Sequence, residues 1–83
     1  MLYLVLAIRT PEFQDSVLEP HRAFLDSLRS SGRLEISGGF TDKTGGAYVL
    51  KAANLDEART LAFSDPLHTT GSSRLTVYEW KTS

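Results

Sequence analysis

The sequence contains no cysteine, which excludes disulfide bonds and metal sites built from thiolates. Its two histidines are too few for a structural zinc site of the usual kind. A chain of 83 residues has a small core, so self-association is the remaining common source of stability. The lack of cysteine also suits a reducing compartment, and we expect a cytoplasmic location.

The sequence also has no large excess of positive or of negative charge. Nine basic and ten acidic residues give a net charge of −1, and neither sign forms a long run. Binding to nucleic acid or to an anionic membrane requires basic patches, so we expect neither partner. The one apolar run, residues 2–8, lacks basic residues before it and is cut short by Arg9. It is therefore predicted to be neither a signal peptide nor a membrane span.

The first half of the chain is predicted to form a strand and a helix. Residues 2–9 are apolar on both faces, which is typical of a strand covered on two sides. From Glu12 to Ser31 the apolar spacing is helical, and Gly32 ends the helix. Pro20 either kinks this helix or lies in the first turn of one that begins anew. One apolar face of the helix carries Leu18, His21, Leu25 and Leu28.

The second half is predicted to form a hairpin, a helix and a final strand. In the strand Arg33–Phe40, Leu34 and Ile36 alternate with polar residues and should share one buried face. The remaining predicted elements are the strand Ala47–Ala52, a helix that opens at Asn54 or at Leu55-Asp56 and stops at Ser64-Asp65-Pro66, a loop Leu67–Ser73 and the strand Leu75–Trp80.

The element order predicts a single α+β domain over residues 1–83. Right-handed crossovers would arrange βαββαβ as a ferredoxin-like antiparallel sheet with two helices on one face. The other face would stay bare, although strand 2–9 is apolar there too. We therefore expect a homodimer in which a second copy covers it, which makes a dimeric α+β barrel. Tyr78 and Trp80 share one strand face and would anchor that dimer.

Five short segments, in order along the chain, resemble the successive motifs of the YciI-like (YCII-related) proteins. They are His21-Arg22-Ala23-Phe24-Leu25-Asp26, Gly32-Arg33-Leu34 with Ser37-Gly38-Gly39, Thr44-Gly45-Gly46, Asp56-Glu57-Ala58, and Asp65-Pro66 with Gly71. The resemblance implies a dimeric α+β barrel and an acid/base dyad formed by His21 and Asp65. The sequence departs from the family pattern at Gly39, where proline is common, and at Leu67, where an aromatic residue is common. These changes bear on the shape of the pocket.

The position of His21 points to a buried imidazole independently of that resemblance. Its helical phase directs it toward the sheet, where it needs a hydrogen-bond partner. Asp65 could accept from one ring nitrogen and so leave the other free as a base. The alternative is that His21 only bridges the helices and that Asp65-Pro66 only stops one.

Four further residues are candidates for substrate binding. Ser37 and Gly38 could offer a hydroxyl and close backbone contact, or simply form a bulge. Arg9 could hold a carboxylate, or be a solvated charge at a strand end. Tyr48 could line the barrel interior, or be a core or dimer contact.

These residues could belong to one of three classes of site: a metal site, a nucleic-acid site or a small-molecule site. His21, Asp65 and His68 could form a mixed metal site, but His68 lies in a polar segment, and we expect no metal and no cofactor. The central strands lack the basic and aromatic motif of RNA-recognition modules. We expect a small-molecule ligand and cofactor-independent acid/base chemistry of the lyase or isomerase type, on a small organic acid or cyclic metabolite beside His21. The alternative is a non-catalytic ligand-binding or protein-interaction module.

Overall fold

The computed structural model describes residues 1–83, and its elements follow the predicted order. The strands are β1 (Leu2–Arg9), β2 (Leu34–Gly39), β3 (Gly45–Lys51) and β4 (Ser73–Trp80), and the helices are α1 (Leu18–Ser30), α2 (Leu55–Ala62) and α3 (Pro66–Thr69). A short 3-10 turn, Asp15–Val17, precedes α1. None of these helices has the length and apolar character needed to cross a membrane.

The four strands form one antiparallel sheet in the order β2-β3-β1-β4. The first and last strands of the chain are therefore neighbours, as the ferredoxin-like prediction requires. Tyr3, Val5 and Ala7 of β1 are buried and belong to one core cluster with residues of all three helices, such as Leu28 and Ala58. The helices consequently cover a single face of the sheet, and the predicted α+β fold is confirmed.

Helix α1 begins later than the sequence pattern predicted. The expected start at Glu12 is wrong, because Gln14 is still extended (φ −130°, ψ 142°) and the α-helix starts at Leu18. Pro20 lies in the first turn, where its missing amide donor costs no helical hydrogen bond. The stop at Gly32 is confirmed, and its φ of 75° is a conformation that glycine adopts without strain.

Residues Asn54 and Asp65 cap the two shorter helices. The Asn54 side chain accepts a hydrogen bond from the amide of Glu57 at 2.8 Å, which fixes the start of α2. The Asp65 side chain accepts one from the amide of Leu67 at 2.8 Å and starts α3 at Pro66. The predicted loop Leu67–Ser73 is therefore wrong in its first part, which is a turn of helix.

A bulge in β2 overturns the prediction that Leu34 and Ile36 share a buried face. Leu34 pairs with Leu50 and Ile36 with Val49, so Glu35 is an extra residue between two adjacent pairs. An extra residue reverses the alternation of side chains along a strand. Leu34 consequently packs against the core, whereas Ile36 is 65% exposed on the opposite face.

The face of the sheet away from the helices is apolar and open. Leu2, Leu4 and Leu6 of β1 are half-buried there, in the centre of the sheet. The large apolar side chains exposed around them are Ile8, Ile36, Tyr78 and Trp80. Both faces of β1 are apolar, as predicted: one face lies under the helices, and the other has no cover within a single chain. We call the uncovered face of the sheet the open face.

Candidate functional site

A pocket of about 320 Å³ lies between the helices and one end of the sheet. Small residues form much of the sheet surface there. Gly39, Gly46 and Ala7 are neighbours across three strands, and Ser37 and Ser73 lie beside them. These small residues leave space below α1, and Tyr48 and Arg9 are the larger residues of the sheet that border it.

Two of the glycines at this end are required by close contacts. A Cβ atom on Gly46 would lie 2.5 Å from the carbonyl oxygen of Gly38 and 3.2 Å from Cα of Gly39. A Cβ atom on Gly45 would collide with the carbonyl oxygen of Ala7. The Thr44-Gly45-Gly46 segment therefore keeps strands β2, β3 and β1 close together at the floor of the pocket.

His21 and Asp65 meet at this pocket although 44 residues separate them. Nδ1 of His21 lies 2.9 Å from Oδ1 of Asp65, and the His21 side chain is 15% exposed. A carboxylate only accepts hydrogen bonds, so we assign the proton to Nδ1 from this partner. Nε2 makes no hydrogen bond, and every fully buried polar side-chain atom has a partner, so Nε2 is open to solvent.

The Asp65 carboxylate is fully buried and is held by three donors. Oδ1 accepts from Nδ1 of His21 and from the amide of Leu67, and Oδ2 accepts from the Tyr48 hydroxyl at 2.9 Å. Burial of a charge is costly unless hydrogen bonds replace its hydration. Asp65 does not line the pocket itself, so it acts on a ligand only through the groups that it holds.

Tyr48 lies on the helix side of the sheet, which corrects the expectation that it lines a barrel interior. It pairs with Val5 of β1, whose side chain is in the core under the helices. The alternation of a strand puts Tyr48 on that same face, and its ring is 6.1 Å from the His21 ring. Burial raises the pKa of the Tyr48 phenol, and the negative charge of Asp65 raises that pKa further. The phenol therefore stays protonated and donates to Asp65.

The other residues predicted from the sequence also border this pocket. Arg9, Ser37 and Gly38 all line it together with His21 and Tyr48, so the structure brings five candidates to one pocket, and the sixth, Asp65, lies directly behind it. Sequence reasoning missed Arg22 as a pocket residue and named it only within the segment that resembles the family motif. Phe13 and the apolar residues Leu18 and Leu25 were missed as pocket residues too. Phe13 lies in the segment predicted as helix, which hid its role.

Comparison with known proteins places the chain in a family. The sequence matches the YCII-related domain over residues 1–81. The chain belongs to this family. It is 47% identical over 79 residues to the uncharacterized protein YjpA of Bacillus subtilis (strain 168), a match that covers 95% of this chain and 93% of YjpA.

One solved structure is similar over the full length of the chain. It is 5-chloro-2-hydroxyhydroquinone dehydrochlorinase (TftG) from Burkholderia phenoliruptrix AC1100, in complex with 2,5-dihydroxybenzoquinone. The TM-score is 0.73 at 23% identity, and the match covers 100% of this chain and 96% of TftG. This likeness agrees with the ferredoxin-like α+β fold described above.

Both departures from the YCII-related pattern line the pocket. Gly39 lies in the row of small residues on the sheet, and Leu67 lies in α3 beside the Asp65 cap. The pocket of this member of the family is therefore open at the sheet side and aliphatic at α3.

His68 does not join His21 and Asp65. It is exposed and packs against the ring of Phe63, with 4.7 Å between the ring centroids. No three histidine, aspartate or glutamate side chains are grouped closely enough to hold one metal ion. The mixed metal site weighed from the sequence therefore has no geometric support.

Proposed function

We propose that this protein is a small-molecule enzyme that carries out acid/base chemistry of the lyase or isomerase type. The observation that carries the proposal is the contact between His21 and the buried Asp65 at the wall of a pocket. An imidazole with one nitrogen held by a carboxylate and the other open to solvent is the arrangement of a general base. The substrate class is a small organic acid or a cyclic metabolite.

Each member of the pair has a separate role in this proposal. Nε2 of His21 takes a proton from a carbon or hydroxyl group of the substrate, and the imidazolium then returns it to another atom of the substrate or to solvent. Asp65 holds the proton on Nδ1 and stabilises the positive charge on the ring while Nε2 carries the transferred proton. The proposed step moves only a proton between Nε2, the substrate and solvent, and the proposal is that it is cofactor-independent.

The similar fold of a dehydrochlorinase supports the search for a reaction of this type. TftG is named for an elimination and was solved with a small cyclic molecule, 2,5-dihydroxybenzoquinone. A shared fold does not fix the substrate. The lining of this pocket therefore decides which compounds are tested first.

We also propose that the protein forms a homodimer through its open face. Only 15 of the 83 residues are buried, so the core of one chain is small. Ile36 is 65%, Tyr78 50% and Trp80 45% exposed on the open face, next to the half-buried leucines of β1. An apolar sheet face of this kind is typical of a surface that pairs with another sheet.

A ligand screen followed by kinetics tests the enzymatic proposal. Thermal shift with small carboxylates and lactones identifies compounds that bind the native state, because such binding raises the unfolding midpoint. Compounds that bind are then incubated with wild type, with His21→Ala and with the control His68→Ala, whose side chain lies outside the pocket. We expect turnover in wild type and His68→Ala and its loss in His21→Ala. Binding without turnover in wild type would favour a ligand-binding module, and equal turnover in all three proteins would contradict the role of His21 as the base.

A further inference from the structure

The charges around the pocket have one sign. Arg9 and Arg22 both border it, and no aspartate or glutamate lines it. Neither arginine takes part in an ion pair, whereas Arg29 and Arg33 pair with Asp26 and Glu57. Because the chain as a whole has a net charge of −1, this positive region is a local property of the pocket.

Arg9 is held in place before any ligand arrives. It ends β1, its amide donates to the carbonyl oxygen of Thr44 at 2.9 Å, and its guanidinium lies 4.0 Å from the centre of the Phe13 ring. A guanidinium over an aromatic face loses little of its hydrogen-bonding capacity, because its donors point outward in the plane of the group. The five donors of this side chain therefore remain available to a ligand.

Arg22 borders the pocket from a different element, helix α1. It follows His21 directly on α1 and is exposed, so it pays little desolvation in the free protein. The two arginines thus border the pocket of His21 from two elements, the end of a strand and the start of a helix. Phe13, Leu18 and Leu25 provide apolar surface in the same pocket.

We propose that the pocket binds an organic anion, with Arg9 and Arg22 as the residues that recognise its carboxylate or enolate oxygens. This inference rests on the proposed function, in which His21 acts on the ligand in the same pocket. Removal of a proton by Nε2 increases the negative charge of the ligand. Guanidinium groups already in place stabilise that charge more strongly as it develops, which is the condition for accelerating the reaction. Arg22 is thereby assigned as a specificity-determining residue.

Calorimetry with a matched pair of compounds tests this inference without catalysis. Benzoate and benzamide have almost the same shape, and only benzoate carries a charge. We expect benzoate to bind wild type at least tenfold more tightly than benzamide does, and to weaken as salt is added. Arg9→Gln and Arg22→Gln should each lose that preference, whereas Arg59→Gln, at an unpaired arginine outside the pocket, should keep it.

The outcomes separate this inference from the proposed function. Equal binding of benzoate and benzamide, no binding of benzoate or acetate at millimolar concentration, or unchanged binding in both pocket variants would overturn the anion assignment. His21→Ala should still bind benzoate. If the anion preference holds while His21→Ala retains full turnover of a substrate, the binding inference stands and the role of His21 as the base fails.

A different observation carries a second inference, on Tyr48. Its hydroxyl donates its proton to Oδ2 of Asp65, and the residue also lines the pocket. We infer that Tyr48 is a positioning residue that fixes the rotation of the carboxylate and so presents Oδ1 to His21. This too presupposes the functional pair His21 and Asp65.

Proton exchange observed by NMR tests the role of Tyr48 without a substrate. In Tyr48→Phe we expect the His21 Nδ1 proton to exchange with solvent several-fold faster than in wild type or in the control Tyr78→Phe. Unchanged exchange would show that Tyr48 is only a packing residue. If Tyr48→Phe does not fold, the wild-type hydroxyl proton decides the matter. It should exchange far more slowly than the hydroxyl proton of free tyrosine, and equal rates would contradict the hydrogen bond to Asp65.

Discussion

Nδ1 of His21 lies 2.9 Å from Oδ1 of Asp65, and the carboxylate is fully buried while the imidazole still reaches solvent. The two residues come from different helices and meet only because α1 and α3 pack on the same face of the sheet. This asymmetry gives them different roles: the buried group orients, and the accessible group exchanges protons.

The effects of replacing His21 and Asp65 should not add. His21→Ala should lower turnover by on the order of a hundredfold or more, the usual contribution of a general base. Asp65→Asn should lower turnover less, and the double variant should be little worse than His21→Ala, because an orienting carboxylate matters only while the imidazole is present. Thermal midpoints of all three variants must be measured in parallel, since Asp65 also caps α3. Additive losses in well-folded variants would contradict a dyad.

Alanine at Gly46 should destabilise the protein and reduce ligand binding. The new methyl group would meet the Gly38 carbonyl oxygen at 2.5 Å, and forcing β2 away from β3 should cost about 1–3 kcal/mol, as overpacking usually does. Gly38→Ala is the matched control, because nothing lies within 4 Å of its added Cβ. Urea unfolding of both variants measures the difference. Equal stability of the two variants would show that the close strand contact is not needed.

Protonation of Glu57 should weaken the fold in acid. The Arg33 side chain, which donates to Oε1 of Glu57 at 2.7 Å, lowers the pKa of this carboxyl, and the amide of Ala53 lowers it further. A carboxyl group whose pKa is lower in the folded state than in the unfolded state stabilises the fold at pH values above its unfolded-state pKa. This stabilisation is lost as the pH falls through the folded-state pKa. The unfolding midpoint of Glu57→Gln should therefore be lower than that of wild type at neutral pH. The difference between the two midpoints should narrow below about pH 4.

The neighbouring variant Asp56→Asn serves as the control for this pH dependence, because the Asp56 carboxylate makes no hydrogen bond. Its midpoint should follow that of wild type across the pH range more closely than the midpoint of Glu57→Gln does. A constant gap between wild type and Glu57→Gln at every pH would show that packing, rather than the charge of Glu57, stabilises the helix start.

A charge on the open face should separate the dimer. Light scattering at micromolar concentration should give wild type about twice the chain mass, and Ile36→Glu should give the mass of one chain. Ile36 is 65% exposed within one chain, so the change should leave the fold of that chain intact. Phe63→Glu is the control, since Phe63 is an exposed apolar residue that follows α2, outside the sheet. A stable, soluble wild-type monomer would contradict the dimer.

The sequence predicted those parts of the fold that depend on periodic patterns over many residues. The bounds of β1 match the structure, and the helical phase of His21 correctly placed it among Leu25 and Leu28. The prediction of the face on which Ile36 lies was wrong. A single extra residue in β2 reverses the alternation of side chains and leaves no trace in the hydrophobic pattern. Helix α3 was missed because four residues are too few to show a helical period.

The candidate site was predictable only in part, because its contacts join distant segments. The pairing of His21 with Asp65 as a dyad was predicted from resemblance to the YciI-like family, because no local pattern indicates which carboxylate a buried histidine will contact. The hydrogen bond from Tyr48 to Asp65 depends on the register between β1 and β3. Arg22 could have been suspected from its place beside His21, but whether an exposed helix residue borders a pocket depends on what packs next to it.

The tautomer of His21 tests the central claim most directly. Nitrogen NMR of the two imidazole rings, at a pH where both are neutral, reports which nitrogen carries the proton, and His68, which forms no side-chain hydrogen bond, is an internal reference. The account predicts that His21 carries its proton on Nδ1, toward Asp65, and leaves Nε2 unprotonated, while His68 shows the Nε2-protonated form usual for a free ring. A His21 ring protonated on Nε2 would leave no free base at the pocket and would contradict the account.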